Sequence, residues 1–329
     1  MEEQKRIMSG MRPTGKLHLG HYFGVISNWV NLQNDYDCYF SVADWHALTT
    51  CYNNTAQLKK NIYDVIIDCL ACGINPDKST LFVQSKVPEI AELNIYLSML
   101  TPQNWIERDQ TIKDIIKNKN TQINIGLMNY PILMSSDILS VNADFVAVGV
   151  YHVPEIELTR DMARRFNNVY KTDYFNEPTP KLNNCPLLCG VDGSKMGKSF
   201  NNDIKIGDDE ETTQKKIMQC ITDRSRARKD DLGHPDKCEV AFKYWQIFGS
   251  QEELQSIENE CKAGQRGCAD CKRQLAKKVN EYFKDIRKRR KYYENHLEQV
   301  DEIVQKGVEK SRKISKKILE DVRNIVGMY

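Results

Sequence analysis

The chain has 329 residues, more than the roughly 250–300 that one hydrophobic core commonly spans, so two domains are expected. Apolar residues at 40% and charged residues at 28% exclude wholesale disorder. No apolar run approaches the roughly 18 residues that cross a bilayer and the N-terminus lacks a signal-like apolar core, which leaves a cytoplasmic protein with no membrane partner as the expectation.

In chain order, Arg6 to Met11 reads as a short buried strand broken at Pro13 and Gly15, and from Gly20 an amphipathic helix runs through Val25, Ile26, Trp29, Val30 and Leu32. Tyr39 to Asp44 reads as the next strand. The helical spacing of Ile62, Val65, Ile66, Cys69 and Leu70 predicts a helix over 57–72 closed by Gly73. Leu81 to Val83 forms a third strand. Residues 95–140 are helical in pattern and read as an insertion. Phe145 to Val150 resumes the sheet, and Pro154 starts another helix. Strands alternating with helices at these lengths imply right-handed crossovers, hence an α/β doubly wound, Rossmann-like parallel sheet. From about residue 208 only helical patterns occur, which places an α/β domain at 1–205 and an all-α domain at 206–329.

Charge supports that division. Residues 272–329 carry 17 Lys+Arg against 9 Asp+Glu and leave the rest mildly acidic. A basic tail suits a polyanion such as RNA, or is simply a solvated helix face. Arg287 to Tyr293 interleaves cations with aromatics, a composition that binds phosphates and stacks on unpaired bases.

Two stretches carry chemistry. Pro13-Thr14-Gly15-Lys16-Leu17-His18-Leu19-Gly20-His21 lies at the first strand-to-helix turn. Its glycine admits close backbone approach, its imidazoles can donate to phosphate oxygens, and the helix N-terminus attracts anions. Lys195-Met196-Gly197-Lys198-Ser199 ends like a P-loop, but Asp192 stands where that motif needs glycine and no strand precedes it. Two lysines three apart on a glycine-containing loop suit instead the clamping of a polyphosphate as charge builds during bond cleavage.

Eleven cysteines without a secretory signal argue against a disulfide framework. Cys238, Cys261, Cys268 and Cys271, ending in Cys-x-x-Cys, suit tetrahedral zinc or a four-iron four-sulfur cluster alike. Cys69 and Cys72 lie in an apolar helix and read as packing residues.

Together the histidine turn and the lysine loop resemble the two signatures of class I aminoacyl-tRNA synthetases. Ser9 to Gly15, Asp44 to Thr49, Tyr130 to Leu139 and Glu157 to Asp161 are similar to the bacterial type of tryptophanyl-tRNA synthetase over nearly the whole chain. The resemblance implies tryptophan activation by ATP with Mg2+, release of diphosphate, and transfer of the aminoacyl group to the 3′ end of tRNA(Trp), in a homodimer formed through the insertion. It implies catalytic roles for His18, His21, Lys195, Lys198 and Ser199. The nucleotide would be bound by Arg12, Pro13, Thr14, Gly20 and His21, by Gly149, Val150, Tyr151 and Leu187, and by the loop from Lys195 through Met196 and Gly197 to Ser199. For the amino acid it implies Asp137 as acceptor of the indole N–H, with His46, Met134 and His152 nearby; without the resemblance Asp137 reads equally well as a helix N-cap. The four C-terminal cysteines resemble those of a subset that carries a four-iron four-sulfur cluster, with zinc as the alternative.

The chain departs from that pattern where Gly149-Val150-Tyr151-His152 replaces Gly-x-Asp-Gln, so His152 stands where a glutamine faces the substrate ammonium. Gly197 replaces the usual serine in the lysine loop. The competing readings are activation of tyrosine, an adenylyltransferase for a small metabolite, and a synthetase-derived iron–sulfur regulator that binds RNA.

Overall fold

The computed structural model describes residues 4–109, 112–113, 123–149, 153–182 and 188–328, with the backbone alone of Ser199. Two compact units make up the chain. One comprises Met1–Gly15, Val25–Asn184 and Tyr293–Tyr329, the other Lys16–Gly24 and Cys185–Tyr292. The expected boundary at 205/206 falls inside the second unit, and the final helix, Leu297–Val326, belongs to the first.

The first unit is built on a five-stranded parallel sheet: β1 (Arg6–Met11), β2 (Asp37–Val42), β3 (Ser79–Val83), β4 (Phe145–Val148) and β5 (Thr179–Leu182), in the order β3-β2-β1-β4-β5. β1 pairs with β2 from Arg6↔Asp37 to Met11↔Val42 and with β4 on its other side. Central strands buried on both faces explain the near-continuous apolar runs in the sequence. Trp29 stacks flat on Phe40 at 4.4 Å and is fully buried with it.

Expected elements are found with modest shifts. Helix Leu58–Cys72 ends on Gly73, whose φ of 112° is the left-handed cap that its lack of Cβ permits. The expected helix from Gly20 to Leu32 is interrupted by a π-helical stretch at Tyr22–Ile26. Strand β5 was not expected, because Thr179-Pro180-Lys181-Leu182 lacks an apolar run; proline is tolerated there because β5 is a sheet edge. Among the described residues from 208 onward there are only helices and no named strand.

The insertion contributes helices Glu89–Leu100, Gln103–Arg108 and Tyr130–Leu139. Their Leu93, Leu97, Ile106 and Leu139 share one core with Met162 and Phe166 of helix Val153–Tyr170 and with Ile318 and Val322 of the last helix. That last helix comes so close to β3 that a Cβ on Gly307 would lie 2.0 Å from the Leu81 carbonyl oxygen.

The second unit is helical around Trp245, Tyr244, Leu275, Val279 and Phe283. No helix among the described residues is long and apolar enough to cross a membrane.

Candidate active site

From Lys16 onward the histidine turn lies in the same compact unit as the lysine loop, and backbone pairing brings the two together. The segment that follows the loop returns alongside the turn: the Leu19 N–H donates to the Ile204 carbonyl and the Ile206 N–H to the Leu17 carbonyl, each at 2.9 Å. Leu17, Leu19, Ile204 and Ile206 are all fully buried, so this pairing has an apolar anchor on both sides. Met196, from the middle of the lysine loop, is buried against the turn; a Cβ on Gly20 would lie 3.7 Å from its sulfur.

Within the turn the rings of His18 and His21 lie 3.7 Å apart, and the His18 N–H donates to His21 Nδ1 at 3.2 Å. Because that nitrogen accepts, the neutral His21 ring carries its proton on Nε2. Burial, together with the Lys198 ammonium, lowers the His18 pKa to about 4, against an opposing pull from Asp203. Burial, His18 and Lys198 likewise hold His21 well below the ordinary range. Both rings are therefore neutral at pH 7, and each offers one N–H. His18 Nδ1 is buried with no hydrogen-bond partner, poised for a group the chain does not supply. Positive charge at the site comes from the lysines: Lys195 is exposed and Lys198 half-buried.

A second constellation lies in the first unit. Asp137, on helix Tyr130–Leu139, is buried at 5% exposure, and its Oδ2 is 3.0 Å from His46 Nε2. Gln84, just after β3, donates from Nε2 to both carboxylate oxygens at 2.8 and 2.9 Å, while its Oε1 accepts from the Trp45 N–H. His46 meets the Tyr130 ring edge-on at 4.4 Å, and the Arg12 guanidinium, which also donates to the Thr50 hydroxyl, lies over that ring. A carboxylate with two donors retains acceptor sites for a third. Asp137 is no N-cap: it sits in the eighth position of its helix. Met134 stands one turn before it, half-buried.

The structure thus groups His18, Gly20, His21, Met196 and Lys198 in one place and Arg12, His46 and Asp137 in another. Val146 is buried in β4. Thr14 closes a turn onto the Arg12 carbonyl next to Pro13, and a Cβ on Gly149 would meet open space. Val150, Tyr151, His152 and Leu187 lie outside the described residues, and Ser199 is placed by its backbone alone, in a single 3-10 turn, Lys198–Phe200.

Gln84 and Asn202 are the residues that sequence reasoning missed. Both are buried carboxamides at the centre of a hydrogen-bond network, and an isolated amide carries no spacing signal.

The basic segment needs correction. Arg287 is half-buried and donates to Asn280 Oδ1 and Thr213 Oγ1, and Arg290 is buried. Amphipathic packing of helix Cys268–Glu294 turns these two inward and leaves Lys288, Arg289, Lys291 and Tyr292 exposed.

Cys238, Cys261, Cys268 and Cys271 line one small cavity of about 30 Å³ together with Asp223, Arg226 and Arg266. Cys268 and Cys271 open a helix, and the Arg226 guanidinium lies 3.9 and 4.0 Å from the Cys268 and Cys261 sulfurs. Burial pushes the Cys238 thiol up to about 11. No group of three or more His, Cys, Asp or Glu side chains among the described residues converges closely enough to hold a single metal ion.

Comparison with known proteins supplies an independent line. The family of class I tRNA synthetases for tryptophan and tyrosine matches residues 1–284. A Thermotoga maritima protein named tryptophan–tRNA ligase is 41% identical over 98% of this chain and 99% of its own length, and an Aquifex aeolicus protein of the same name is 38% identical over 98% and 100%. The crystal structure of the Campylobacter jejuni tryptophanyl-tRNA synthetase, complexed with ADP and tryptophan, superimposes with a TM-score of 0.91 at 31% identity, covering 98% of this chain and all of the other.

Proposed function

The chain belongs to the class I tRNA synthetases for tryptophan and tyrosine, and we propose that it is a tryptophan–tRNA ligase of the cytoplasm that forms tryptophanyl-adenylate from tryptophan and ATP and passes the aminoacyl group to tRNA(Trp). The tryptophan carboxylate is ionised at neutral pH, so it attacks the α-phosphate without a general base. Catalysis then rests on alignment and on charge stabilisation at the triphosphate. Neutral His18 and His21 each supply one N–H donor to phosphate oxygens. Lys195 and Lys198 supply positive charge as diphosphate departs, with the Ser199 backbone, Gly20, Met196 and Gly197 shaping the loop. Arg12, Pro13, Thr14 and Gly149 are assigned to the nucleotide, along with Val150, Tyr151 and Leu187. Mg2+ enters with ATP as its counter-ion.

For the amino acid, Asp137 accepts the indole N–H while Gln84 and His46 satisfy its other lone pairs, and Met134 lines the ring. A side chain without a matching donor would leave part of that buried carboxylate unsatisfied, which is the basis of selectivity for tryptophan over phenylalanine. His152 is assigned to the substrate ammonium.

A four-iron four-sulfur cluster is assigned to Cys238, Cys261, Cys268 and Cys271, which line one cavity; at about 30 Å³ that cavity would have to widen to admit it. A zinc ion would need all four sulfurs within about 2.3 Å of one point, whereas a cluster several ångströms across takes ligands spread around it. It would pin the start of helix Cys268–Glu294, whose exposed Lys288, Arg289 and Tyr292 are the proposed tRNA contact. Homodimer formation is supported by Ile95, Met99, Ile123 and Ile125, large apolar side chains 47–83% exposed on the insertion.

The observation that carries this reading is the backbone pairing of the histidine turn with the return of the lysine loop. The test is aminoacylation of tRNA(Trp) by the purified protein. Charging with tryptophan and not with tyrosine or phenylalanine is expected; charging with tyrosine alone would overturn the assignment.

A further inference from the structure

The lysine loop closes on itself around one side chain. Asn202 is 2% exposed, and both ends of its carboxamide bond to residues between Asp192 and Gly197. Its Oδ1 accepts the Gly197 N–H at 2.9 Å, and since a backbone N–H can only donate, the other end of the amide is identified as Nδ2. The two hydrogens of that nitrogen are shared among Asp192 Oδ1 and Ser194 Oγ, each at 2.9 Å, and the Lys195 carbonyl at 3.1 Å. The backbone carbonyl of Asn202 accepts from the Val191 N–H at 2.9 Å. The space around the amide has no slack: a Cβ on Gly190 would lie 2.3 Å from its nitrogen.

The bonds to the Lys195 carbonyl and the Gly197 amide straddle Met196, the residue buried against the histidine turn. Two residues beyond Asn202, Ile204 begins the backbone pairing with that turn. Asn202 therefore couples the part of the loop that carries Lys195 and Lys198 to the strand-like return that anchors it. Replacing one buried partner in such a network leaves the others unsatisfied.

We propose that Asn202 is the positioning residue of the lysine loop: its carboxamide holds the backbone at Lys195 and Gly197 so that the two ammonium groups stand ready for the triphosphate. This rests on the assignment of those lysines to ATP. Asn202 touches no substrate and acts only through the loop. Asparagine is the side chain of this size that can accept from Gly197 and donate to the Asp192 carboxylate at once; an aspartate of the same shape would place a second carboxylate against Asp192.

The test compares Asn202→Asp, Asn202→Ala and the double variant Asp192→Asn/Asn202→Asp, in which amide and carboxylate trade places. Tryptophan-dependent exchange of diphosphate into ATP gives kcat and the KM values for ATP and tryptophan. Hydrogen–deuterium exchange across residues 190–202 reads the loop directly, and tryptophan affinity with thermal midpoint verifies folding. The single variants are expected to lose on the order of 100-fold in kcat, the scale of a misplaced catalytic group, with the KM for tryptophan unchanged and faster deuteration of the loop. The double variant is expected to recover part of both. Wild-type kinetics and protection in Asn202→Asp would overturn the proposal. So would full activity of both single variants alongside an inactive Lys198→Ala. Full activity of Lys198→Ala itself would instead remove the lysine assignment on which the proposal rests.

Discussion

Gln84 grips Asp137 with one nitrogen: Nε2 lies 2.8 Å from Oδ1 and 2.9 Å from Oδ2, and the Trp45 N–H, by donating to Oε1, fixes which way the amide faces. A buried carboxylate is stable as an anion only when such donors replace water. Gln84→Leu leaves Asp137 with His46 as its partner among these two. Loss of that donor corresponds to about 1–3 kcal/mol, so the KM for tryptophan should rise roughly 5- to 150-fold with little change in the KM for ATP. Steady-state exchange kinetics at varied tryptophan would reveal it; an unchanged tryptophan KM would remove Gln84 from the specificity network.

The two histidines of the first signature are held neutral, which sets a pH dependence. A buried imidazole with pKa about 4 folded and 6.5 unfolded takes up its proton more readily in the unfolded chain. The resulting stability is present in full above pH 6.5 and is lost as pH falls toward 4. Urea midpoints of the wild type should therefore drop between pH 7.5 and 5 by more than those of His18→Asn. Equal drops in the two proteins would mean that His18 is not buried in its neutral form.

Gly20 separates the His18 ring from Met196. An added Cβ would lie 3.1 Å from two His18 ring atoms and 3.7 Å from the Met196 sulfur, so the imidazole must shift by a few tenths of an ångström. Gly20→Ala is expected to reduce kcat/KM for ATP by about tenfold or more, whereas Gly24→Ala, whose Cβ meets nothing within 4 Å, should leave it unchanged. Comparable kinetics of the two variants would contradict the close packing of turn and loop.

The four cysteines give a prediction in colour. Protein purified without oxygen should be brown, with about four irons and four sulfides per chain, and Cys268→Ser should lose that absorption. A colourless protein loaded with stoichiometric zinc would replace the cluster with a single ion.

The extent to which sequence foretells this molecule follows from the physics of each signal. Helix Leu58–Cys72 was legible because fifteen residues repeat an apolar face and Gly73 terminates it. β1, β2 and β3 were legible because strands buried on both faces are written as apolar runs. β5 was not: an edge strand of four residues containing Pro180 has neither run nor alternation. His18, His21, Lys195 and Lys198 announced themselves by spacing, since chemistry on a phosphate chain needs donors at fixed intervals. Gln84 and Asn202 lie 53 and 10 residues from the Asp137 and Asp192 carboxylates they hold, and such pairings exist only once the chain has folded. The inward turn of Arg287 and Arg290 was hidden for a related reason: a run of five cations, Arg287 to Lys291, reads as surface until helical geometry assigns each a direction.

On the proposed reading, the neutral imidazoles of His18 and His21 and the two loop lysines stabilise charge on one triphosphate. The most direct test is tryptophan-dependent exchange of diphosphate into ATP by the wild type, Lys195→Ala, Lys198→Ala and His21→Asn. Robust exchange with tryptophan alone is expected, with a loss on the order of 100-fold or more in kcat for each variant and the KM for tryptophan held. Full activity in either lysine variant, or no exchange by the wild type with tryptophan, would contradict that reading.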